Sequence, residues 1–377
     1  KDDDTFGAWA HSDPIVSTPP PDPICLTKEV GMHSIIMDES CRLIIDTSSD
    51  LTRPTSTKIY YMPLGGPFVK ADNSRHANLK LLCVPYDSSL EVDAKAGAAN
   101  NMSAYPAPEL LSFPTADGSE TLHAALYLPN PAIYGSGPYP LICAVYGGPH
   151  VQRVNRSWCQ SADMRVQRLC SLGFAIVKCD NRGSARRGLA FEGAIKKRLG
   201  RFEVLDQVTA VKHLVVKGIA DPTRVGIYGW SYGGYLAAMC LCRAPDVFSV
   251  GIAGAPVTSW EGYDTHYTER YMGLPDENSK GYREAALFEH ISNMKGKLLI
   301  IHGLIDENVH FRHTARLINR LIAAGKDYDI LIFPDERHSP RKLRDRVYME
   351  KRMSDYFVEN LCGNSKTKGL RFMPGHL

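Results

Sequence analysis

The sequence has no long hydrophobic run and no block of like charge, and each absence excludes a class of protein. No apolar stretch reaches the roughly 18 residues that a membrane-spanning helix needs, so we expect no membrane partner. The net charge is only +3, and no basic run is interleaved with aromatic residues. A nucleic-acid partner is therefore not expected either.

The sequence also lacks any Cys-x-x-Cys pair, although it contains ten cysteines. Several fall in apparent core strands, such as Cys143 and Cys179, and we interpret them as reduced thiols of a cytoplasmic protein. We expect no metal site and no organic cofactor. Two Asn-x-Ser triplets, at Asn101 and Asn155, count against this location. Because the chain begins at Lys1 rather than Met, we expect a fragment or a processed form.

The distribution of predicted strands and helices divides the chain into three parts. Residues 1–104 are predicted to be all-β, with short strands at His33–Met37, Arg42–Asp46, Lys58–Met62 and Leu79–Val84. So few strands leave open sheet edges, so this part is interpreted as the incomplete C-terminal portion of a β-propeller. Residues 105–363 are predicted to form an α/β catalytic domain, and residues 364–377 a tail.

Strands and helices alternate after residue 105. Strands are predicted at Leu141–Tyr146, Phe174–Cys179, Val225–Tyr228, Val250–Ala253, Leu298–His302 and Ile330–Phe333. Amphipathic helices are predicted at Phe202–Val216, at His313–Ala324 and at the end of this part of the chain. This alternation predicts a mostly parallel sheet covered on both faces, with functional residues at the carboxyl ends of its strands.

The stretch GWSYGGYLAAM, residues 229–239, places a serine between a predicted strand and a predicted helix. Glycines at positions 229 and 233 let the two elements pass closely, and the residue between them is forced into a strained backbone conformation. Gly229-x-Ser231-x-Gly233 therefore matches the nucleophile elbow of α/β-hydrolases, and Ser231 is the candidate nucleophile. The alternative is a tight turn that happens to contain serine.

A nucleophilic serine needs an acid and a base, which in this fold follow it in the order Asp, His. Asp306 follows the predicted strand Leu298–His302, and His338 follows the strand Ile330–Phe333. We interpret them as the orienting acid and the general base. Neighbouring residues compete for these two roles: Glu307 and Asp335 for the acid, and His302, His310 and His313 for the base.

Two candidates can stabilise the oxyanion that forms when the serine attacks a carbonyl. One is the backbone N–H of Tyr232, the residue after the nucleophile. The other is the phenol of Tyr146, which ends a strand before Gly147-Gly148-Pro149, where the proline has no N–H to offer. A tyrosine at a strand end is otherwise a packing residue.

Four aromatic residues, Trp260, Tyr263, Tyr267 and Tyr271, recur at helical spacing after the strand Val250–Ala253. An apolar helix face is the ordinary interpretation of such spacing. Their place beside the predicted site favours a flat aromatic pocket for a compact ring such as proline.

Several long motifs, in order, resemble those of a known family. GWSYGGYLAAM, APVTSWEGYDTHYTERYMGLP, HGLIDENVHF and the His338 loop resemble the dipeptidyl peptidase IV branch of the prolyl oligopeptidase family, and DNRGSARRGLAFEGA resembles its cytosolic members. The resemblance covers residues 105–362, and the β-rich start is similar to the closing blade of that family's propeller. It implies an α/β-hydrolase fold with a mostly parallel eight-stranded sheet.

The resemblance also implies roles for individual residues. The triad would be Ser231, Asp306 and His338, with Tyr146 and Tyr232 as oxyanion donors. The substrate site would include Tyr232, Val257, Trp260, Tyr263, Tyr267, Arg270, Asn308 and Val309. Gly262 departs from the family, since relatives often carry an aromatic residue there. The family also anchors the substrate's amino terminus with a Glu-Glu pair from the propeller, and no such pair occurs in this chain.

We therefore expect a serine peptidase that cleaves after proline and releases Xaa-Pro dipeptides in the intact protein. Its partners would be peptides with proline near the amino terminus, and the intact protein is expected to be a homodimer. Two alternatives stay open: a broader oligopeptidase or acyl hydrolase, and a catalytically impaired fragment that acts through protein contacts. Loss of the nucleophile is usual in non-catalytic relatives, whereas Ser231 and both partners are present.

Overall fold

The computed structural model describes residues 26–27, 29–63, 79–88 and 105–362. Its first sheet has four antiparallel strands that pair in chain order. These are β1 (Met32–Met37), β2 (Leu43–Ser49), β3 (Ser56–Tyr61) and β4 (Lys80–Asp87). The all-β character predicted for this part of the chain is confirmed for the described residues.

The second sheet has eight strands in the order β12-β11-β10-β9-β7-β8-β6-β5. Its members are β5 (Glu109–Pro114), β6 (Thr121–Tyr127), β7 (Tyr139–Val145), β8 (Ala175–Asp180), β9 (Ala220–Trp230), β10 (Val250–Gly254), β11 (Lys297–Gly303) and β12 (Asp329–Phe333). β5 and β6 are antiparallel to their neighbours, and the other pairings are parallel. The mostly parallel eight-stranded sheet predicted from the sequence is confirmed.

Helices connect the parallel strands. They are α1 (Pro131–Tyr134), α2 (Trp158–Ser161), α3 (Met164–Ser171), α4 (Leu189–Gly193), α5 (Phe202–Val216), α6 (Tyr232–Arg243), α7 (Thr265–Met272), α8 (Ser279–Ala285), α9 (Arg312–Ala323) and α10 (Leu343–Leu361). Short 3₁₀ turns cover Trp260–Gly262, Leu287–Glu289 and Ile291–Asn293. Among these described helices, none has the length and apolar character needed to cross a bilayer.

The sheet is covered on both faces, which is why its central strands carry continuous apolar runs instead of alternating ones. Every residue of β7 and β8 is buried. One core cluster includes side chains of α5 and α6, and a second includes side chains of α3 and α10. Together the two clusters make the sheet a rigid platform for the loops at its edge.

The strand order reverses direction around β7, because β8 pairs with one side of it and β9 with the other. Such a switch point opens a crevice at the carboxyl ends of the two diverging strands. Tyr146 follows β7 and Ser231 follows β9, so both lie at this crevice. The topology thus brings together two residues that are 85 positions apart in the sequence.

Candidate active site

Ser231 is held on the sharp turn between β9 and α6. Its backbone has φ 61° and ψ −117°, a left-handed conformation that is costly for a residue with a Cβ. The Ser231 N–H donates to the carbonyl of Gly254, at 2.8 Å, and the Ser231 carbonyl accepts from Tyr235 N–H, at 3.0 Å. These bonds fix the strained conformation.

Two glycines make this turn possible. A Cβ at Gly229 would lie 2.3 Å from the carbonyl oxygen of Gly233, and a Cβ at Gly233 would lie 2.5 Å from the carbonyl oxygen of Val145. Both separations are far below van der Waals contact, so any larger residue would push α6 away from the sheet. The close passage expected from the motif is therefore present.

Asp306 and His338 meet across two loops at the same edge of the sheet. Asp306 follows β11 and His338 follows β12, and His338 Nδ1 lies 2.8 Å from Asp306 Oδ2. The carboxylate accepts from Nδ1–H, which leaves Nε2 as the basic nitrogen. Among the hydrogen bonds of the described residues, none joins the Ser231 hydroxyl to this imidazole, a loose geometry that is common before substrate binds.

The Asp306 carboxylate accepts four hydrogen bonds. The backbone N–H groups of Asn308 and Val309 donate to Oδ1, at 2.9 and 3.0 Å, and His302 Nε2 shares Oδ2 with His338, at 3.1 Å. Burial opposes its ionisation, but the hydrogen bonds from His302 and His338 outweigh burial and hold the pKa of Asp306 well below its usual range. The acid is therefore ionised at any working pH.

His302 was not assigned a role beside the acid by the sequence analysis, which treated it as a competing base. It is fully buried, and its Nε2 faces two acceptors, Asp306 Oδ2 and the Val309 carbonyl, at 3.1 and 2.8 Å. Nε2 must therefore carry the proton, and Nδ1 accepts from the hydroxyl of Thr314, at 2.8 Å. With both nitrogens engaged, His302 orients the acid and has no free lone pair for a proton.

Trp230 connects the serine to the histidine loop. Its indole Nε1–H donates to the backbone carbonyl of His338, at 2.6 Å, and Trp230 is the residue directly before Ser231. One side chain thus ties the two catalytic candidates together through the backbone. No local pattern in the sequence predicts this bond, which spans 108 positions.

The other candidates for the acid and base roles make contacts elsewhere or are exposed. Glu307 pairs with Arg337 and Asp335 with Lys342, both at the surface. His313 is buried, with Nδ1 accepting from Thr258 N–H and Nε2 donating to the Gly262 carbonyl. Burial lowers the pKa of His313 to about 4, so it is a poor base near neutral pH. His310 is exposed.

The rings of Tyr146 and Tyr232 lie close together, with centroids 6.0 Å apart, and Tyr232 directly follows Ser231 in the chain. Tyr232 is the first residue of α6, so its N–H has no partner within the helix and is available to an oxyanion. Burial, with the nearby Tyr271, raises the pKa of Tyr146, so its phenol keeps its proton and can donate.

The side chain of Tyr232 is hydrogen-bonded to a buried glutamate, Glu203. The Tyr232 hydroxyl donates to Glu203 Oε1, at 2.6 Å, and Gly200 N–H donates to the same oxygen, at 2.8 Å. Glu203 Oε2 has no hydrogen-bond partner in the part of the chain that the structure describes. Burial raises the pKa of Glu203 to about 7. The sequence analysis missed this residue, which only the packing of α5 against α6 brings near the site.

The predicted aromatic residues form one cluster, but they do not lie on one helix. Trp260 is on a 3₁₀ turn, Tyr263 follows it, and Tyr267 and Tyr271 are on α7, whose start is capped by the Asp264 carboxylate. Trp260 stacks on Tyr267 with centroids 6.1 Å apart and meets Tyr232 at 5.3 Å. Trp260 is almost fully buried, so it lies at the inner side of this cluster.

The other predicted substrate residues surround this cluster. Val257 and Val309 are buried, and Asn308 Oδ1 accepts from the Tyr263 hydroxyl, at 2.7 Å. Arg270 is exposed at the outer side of α7, where it donates to His266 Nε2, at 3.1 Å. Val257, Val309 and Asn308 thus lie near both the aromatic cluster and the Asp306 loop.

Together, a strained serine, an imidazole with a basic Nε2, an ionised acid and two oxyanion donors can perform nucleophilic attack on a carbonyl. The aromatic cluster offers flat apolar surfaces of the kind that pack against a small ring. Among the described residues, no group of three His, Cys, Asp or Glu side chains is placed to hold a metal ion.

Comparisons with known proteins show which family the chain resembles. The family model described as "Prolyl oligopeptidase family" matches residues 160–364. The chain is similar to dipeptidyl peptidase 8 of Mus musculus, with 40% identity over 346 residues that cover 91% of this chain and 37% of the relative. It is also 40% identical over 210 residues to dipeptidyl peptidase 4 of Sus scrofa, covering 54% of this chain and 27% of that one.

A solved structure shows the same likeness. Dipeptidyl peptidase 4 of Porphyromonas gingivalis superposes with a TM-score of 0.74 and 29% identity, covering 89% of this chain and 44% of that chain. The chain thus spans less than half the length of these relatives.

Proposed function

Because the chain belongs to the prolyl oligopeptidase family, we propose that it is the catalytic part of a serine peptidase that cleaves after proline. In the intact protein this activity releases Xaa-Pro dipeptides from the amino terminus of peptides. The observation that carries the proposal is the pairing of His338 with an ionised Asp306 beside a strained Ser231. The activity is a proposal because the chain covers only 37% of the length of the murine relative.

In the proposed mechanism, His338 Nε2 takes the proton of Ser231 as Oγ bonds to the carbonyl carbon of the substrate. The resulting imidazolium is stabilised by Asp306, which also fixes the tautomer. His338 then gives the proton to the leaving nitrogen as the C–N bond breaks. A water molecule hydrolyses the acyl-enzyme by the same sequence in reverse, with His338 again accepting and returning a proton.

We assign the oxyanion to two donors, the Tyr146 phenol and the Tyr232 N–H. Both act on charge that develops only in the transition state, so they should affect turnover more than binding. The ring of proline would lie against Tyr232, Trp260 and Tyr267, where apolar flat surfaces offer no partner for a polar side chain. Val257, Tyr263 and Val309 would close this pocket, and Asn308 and Arg270 would contact the substrate's carbonyl and amino end.

Two other functions remain candidates: a broader oligopeptidase or acyl hydrolase, and a catalytically impaired chain that acts through protein contacts. The first would share the triad and differ in how the substrate's amino end is held. The second is disfavoured because Ser231, Asp306 and His338 are all present.

Hydrolysis of Gly-Pro arylamides tests the proposal. The wild type should hydrolyse the substrate with a free amino group, and the Ser231→Ala variant should lose several powers of ten in kcat. A substrate with an acylated amino group separates the first two candidates. In the intact protein, a strong preference for the free amine supports dipeptide release, and equal rates support an oligopeptidase. This chain contains no Glu-Glu pair, so by itself it should discriminate little between the two substrates. No hydrolysis of either substrate by the wild type would refute the proposed activity.

Four further expectations belong to this proposal. The nine described cysteines are all free, which supports a reducing, cytoplasmic location. A homodimer of the intact protein remains a prediction. The division into 1–104, 105–363 and 364–377 remains one too, as does the assignment of the four-stranded sheet to a β-propeller.

A further inference from the structure

A cavity of about 470 Å³ lies directly beside the candidate active site. One wall is formed by Tyr146, Gly229 and Trp230, residues next to the nucleophile and in the oxyanion site. The lining also includes Arg153, Arg165 and Arg346, from the loop after β7 and from helices α3 and α10. The volume is within the range of sites that bind small molecules or peptide side chains.

The cavity has a surplus of positive charge. Its lining holds four arginines and two carboxylates. Each carboxylate already has a cation: Glu350 pairs with Arg165, at 2.5 Å, and Asp163 pairs with Lys178, at 2.9 Å. Over the described residues, Arg153 and Arg346 enter no ion pair, so their guanidinium groups are available to an anionic ligand.

The cavity is on the histidine side of the serine. A second recess continues it past Trp230 to Ser339 and Pro340, the two residues directly after His338. The aromatic cluster proposed for proline packs with the core on one face of the sheet, whereas Trp230 packs with the core on the other face. The cavity and the aromatic pocket are therefore on different sides of the nucleophile.

The proposed reaction determines which part of the peptide substrate lies on the histidine side of Ser231. His338 must hand its proton to the leaving nitrogen, so the peptide that departs has to lie on the imidazole side of Ser231. The residues after the scissile bond thus pass next to Trp230 and towards the arginines. Guanidinium groups bind carboxylates with paired, charge-assisted hydrogen bonds.

We propose that this cavity is a leaving-side subsite that selects peptides with an acidic side chain in the first residues after the cleaved bond. The inference rests on the proposed function, since it needs a peptide to be cleaved at Ser231. Arg153 and Arg346 are the specificity-determining residues, and neither takes part in bond breaking. A free anion of similar chemistry, such as phosphate, would bind the same guanidinium groups and compete with the peptide.

The test compares C-terminally amidated peptides Gly-Pro-X-X that differ only in X, which is Glu, Gln or Lys. A Gly-Pro arylamide serves as the reference, because its leaving group is neutral and carries no amino-acid side chain. We expect kcat/KM about fivefold or more higher for Glu than for Lys at low ionic strength. The ratio should shrink in 0.5 M KCl, because salt screens these partly exposed charges.

Substitution of the two arginines tests whether they cause the preference for the Glu peptide. Arg153→Met/Arg346→Met should bring the Glu-to-Lys ratio below about twofold and leave arylamide hydrolysis unchanged, while the double Arg→Lys variant should keep part of the preference. Arg352→Met, on the same helix as Arg346 but outside the cavity lining, is the matched control. If the double variant does not fold, Arg346→Met alone and the salt dependence of the wild type carry the test.

The outcomes separate the two proposals. Equal kcat/KM for the Glu and Lys peptides, or a preference that survives in the double variant, would overturn the subsite while arylamide hydrolysis still supports the peptidase. Inhibition by phosphate of Glu-peptide cleavage, but not of arylamide cleavage, would support the subsite. Failure of the wild type to hydrolyse the arylamide would overturn the proposed function and this inference with it.

Discussion

Replacing Asp306 by asparagine should lower kcat/KM on a Gly-Pro arylamide by about four powers of ten. The reason lies in the four donors around the carboxylate. Two backbone N–H groups, of Asn308 and Val309, point at Oδ1, so the amide oxygen must occupy that position. The amide NH₂ then replaces Oδ2 and faces His338 Nδ1.

An NH₂ group cannot accept from Nδ1–H, so His338 changes tautomer and its proton moves to Nε2. The nitrogen that should take the serine proton is then already protonated. A fall of four powers of ten corresponds to about 5 kcal/mol of lost transition-state stabilisation. His302 Nε2–H also faces the new NH₂ group, but it keeps the Val309 carbonyl as its acceptor, so the further loss in folding stability should be only about 1 kcal/mol.

The assay is arylamide hydrolysis at several substrate concentrations, with urea unfolding to measure stability. Glu307→Gln and Asp335→Asn are matched controls, because both carboxylates are exposed and paired with surface cations. They should retain wild-type kcat/KM. Activity of Asp306→Asn within tenfold of wild type, or a comparable loss in either control, would refute the assignment of the acid.

Three further changes probe the surroundings of the triad. Tyr146→Phe should lower kcat by roughly 10²–10³-fold with a modest change in KM. Near-wild-type turnover would mean that Tyr146 is only a packing residue. Trp230→Phe removes the indole donor to His338 and should lower kcat several-fold, while an unchanged kcat would mean that the loop is held without it. Because burial raises the pKa of Glu203 to about 7, ionisation of Glu203 alone should lower the free energy of unfolding by about 2.5 kcal/mol between pH 5 and pH 8, since burial disfavours the ionised form only in the folded state. Urea unfolding of Glu203→Gln should show a flatter pH dependence, and an identical pH profile would contradict the shifted pKa.

Local sequence patterns were sufficient to predict those elements whose structure depends on residues close together in the chain. The apolar face of Phe202–Val216 gave the bounds of α5, and the strand ends gave the positions of Ser231, Asp306 and His338. The alternating hairpin of β5 and β6 was not assigned, although its turn at Asp117-Gly118 is a recognisable signal. The helical spacing of the aromatic residues could not reveal the break that the Asp264 cap introduces before α7.

Other features depend on contacts between distant segments, which periodicity does not encode. His302 faces Asp306 only because the chain turns back after β11, and Glu203 reaches Tyr232 only because α5 packs on α6. The arginines beside Trp230 come from three separate elements. Such sites follow from tertiary packing, so a single sequence carries no signal for them.

The most direct test of the central claim is labelling with a fluorophosphonate probe, followed by mass spectrometry of the modified peptide. We expect one equivalent of label on the Ser231 hydroxyl in the wild type, none in Ser231→Ala, and greatly slowed labelling in a His338→Gln variant. No labelling of the wild type, or equal labelling of Ser231→Ala, would contradict the claim that this chain carries a serine nucleophile.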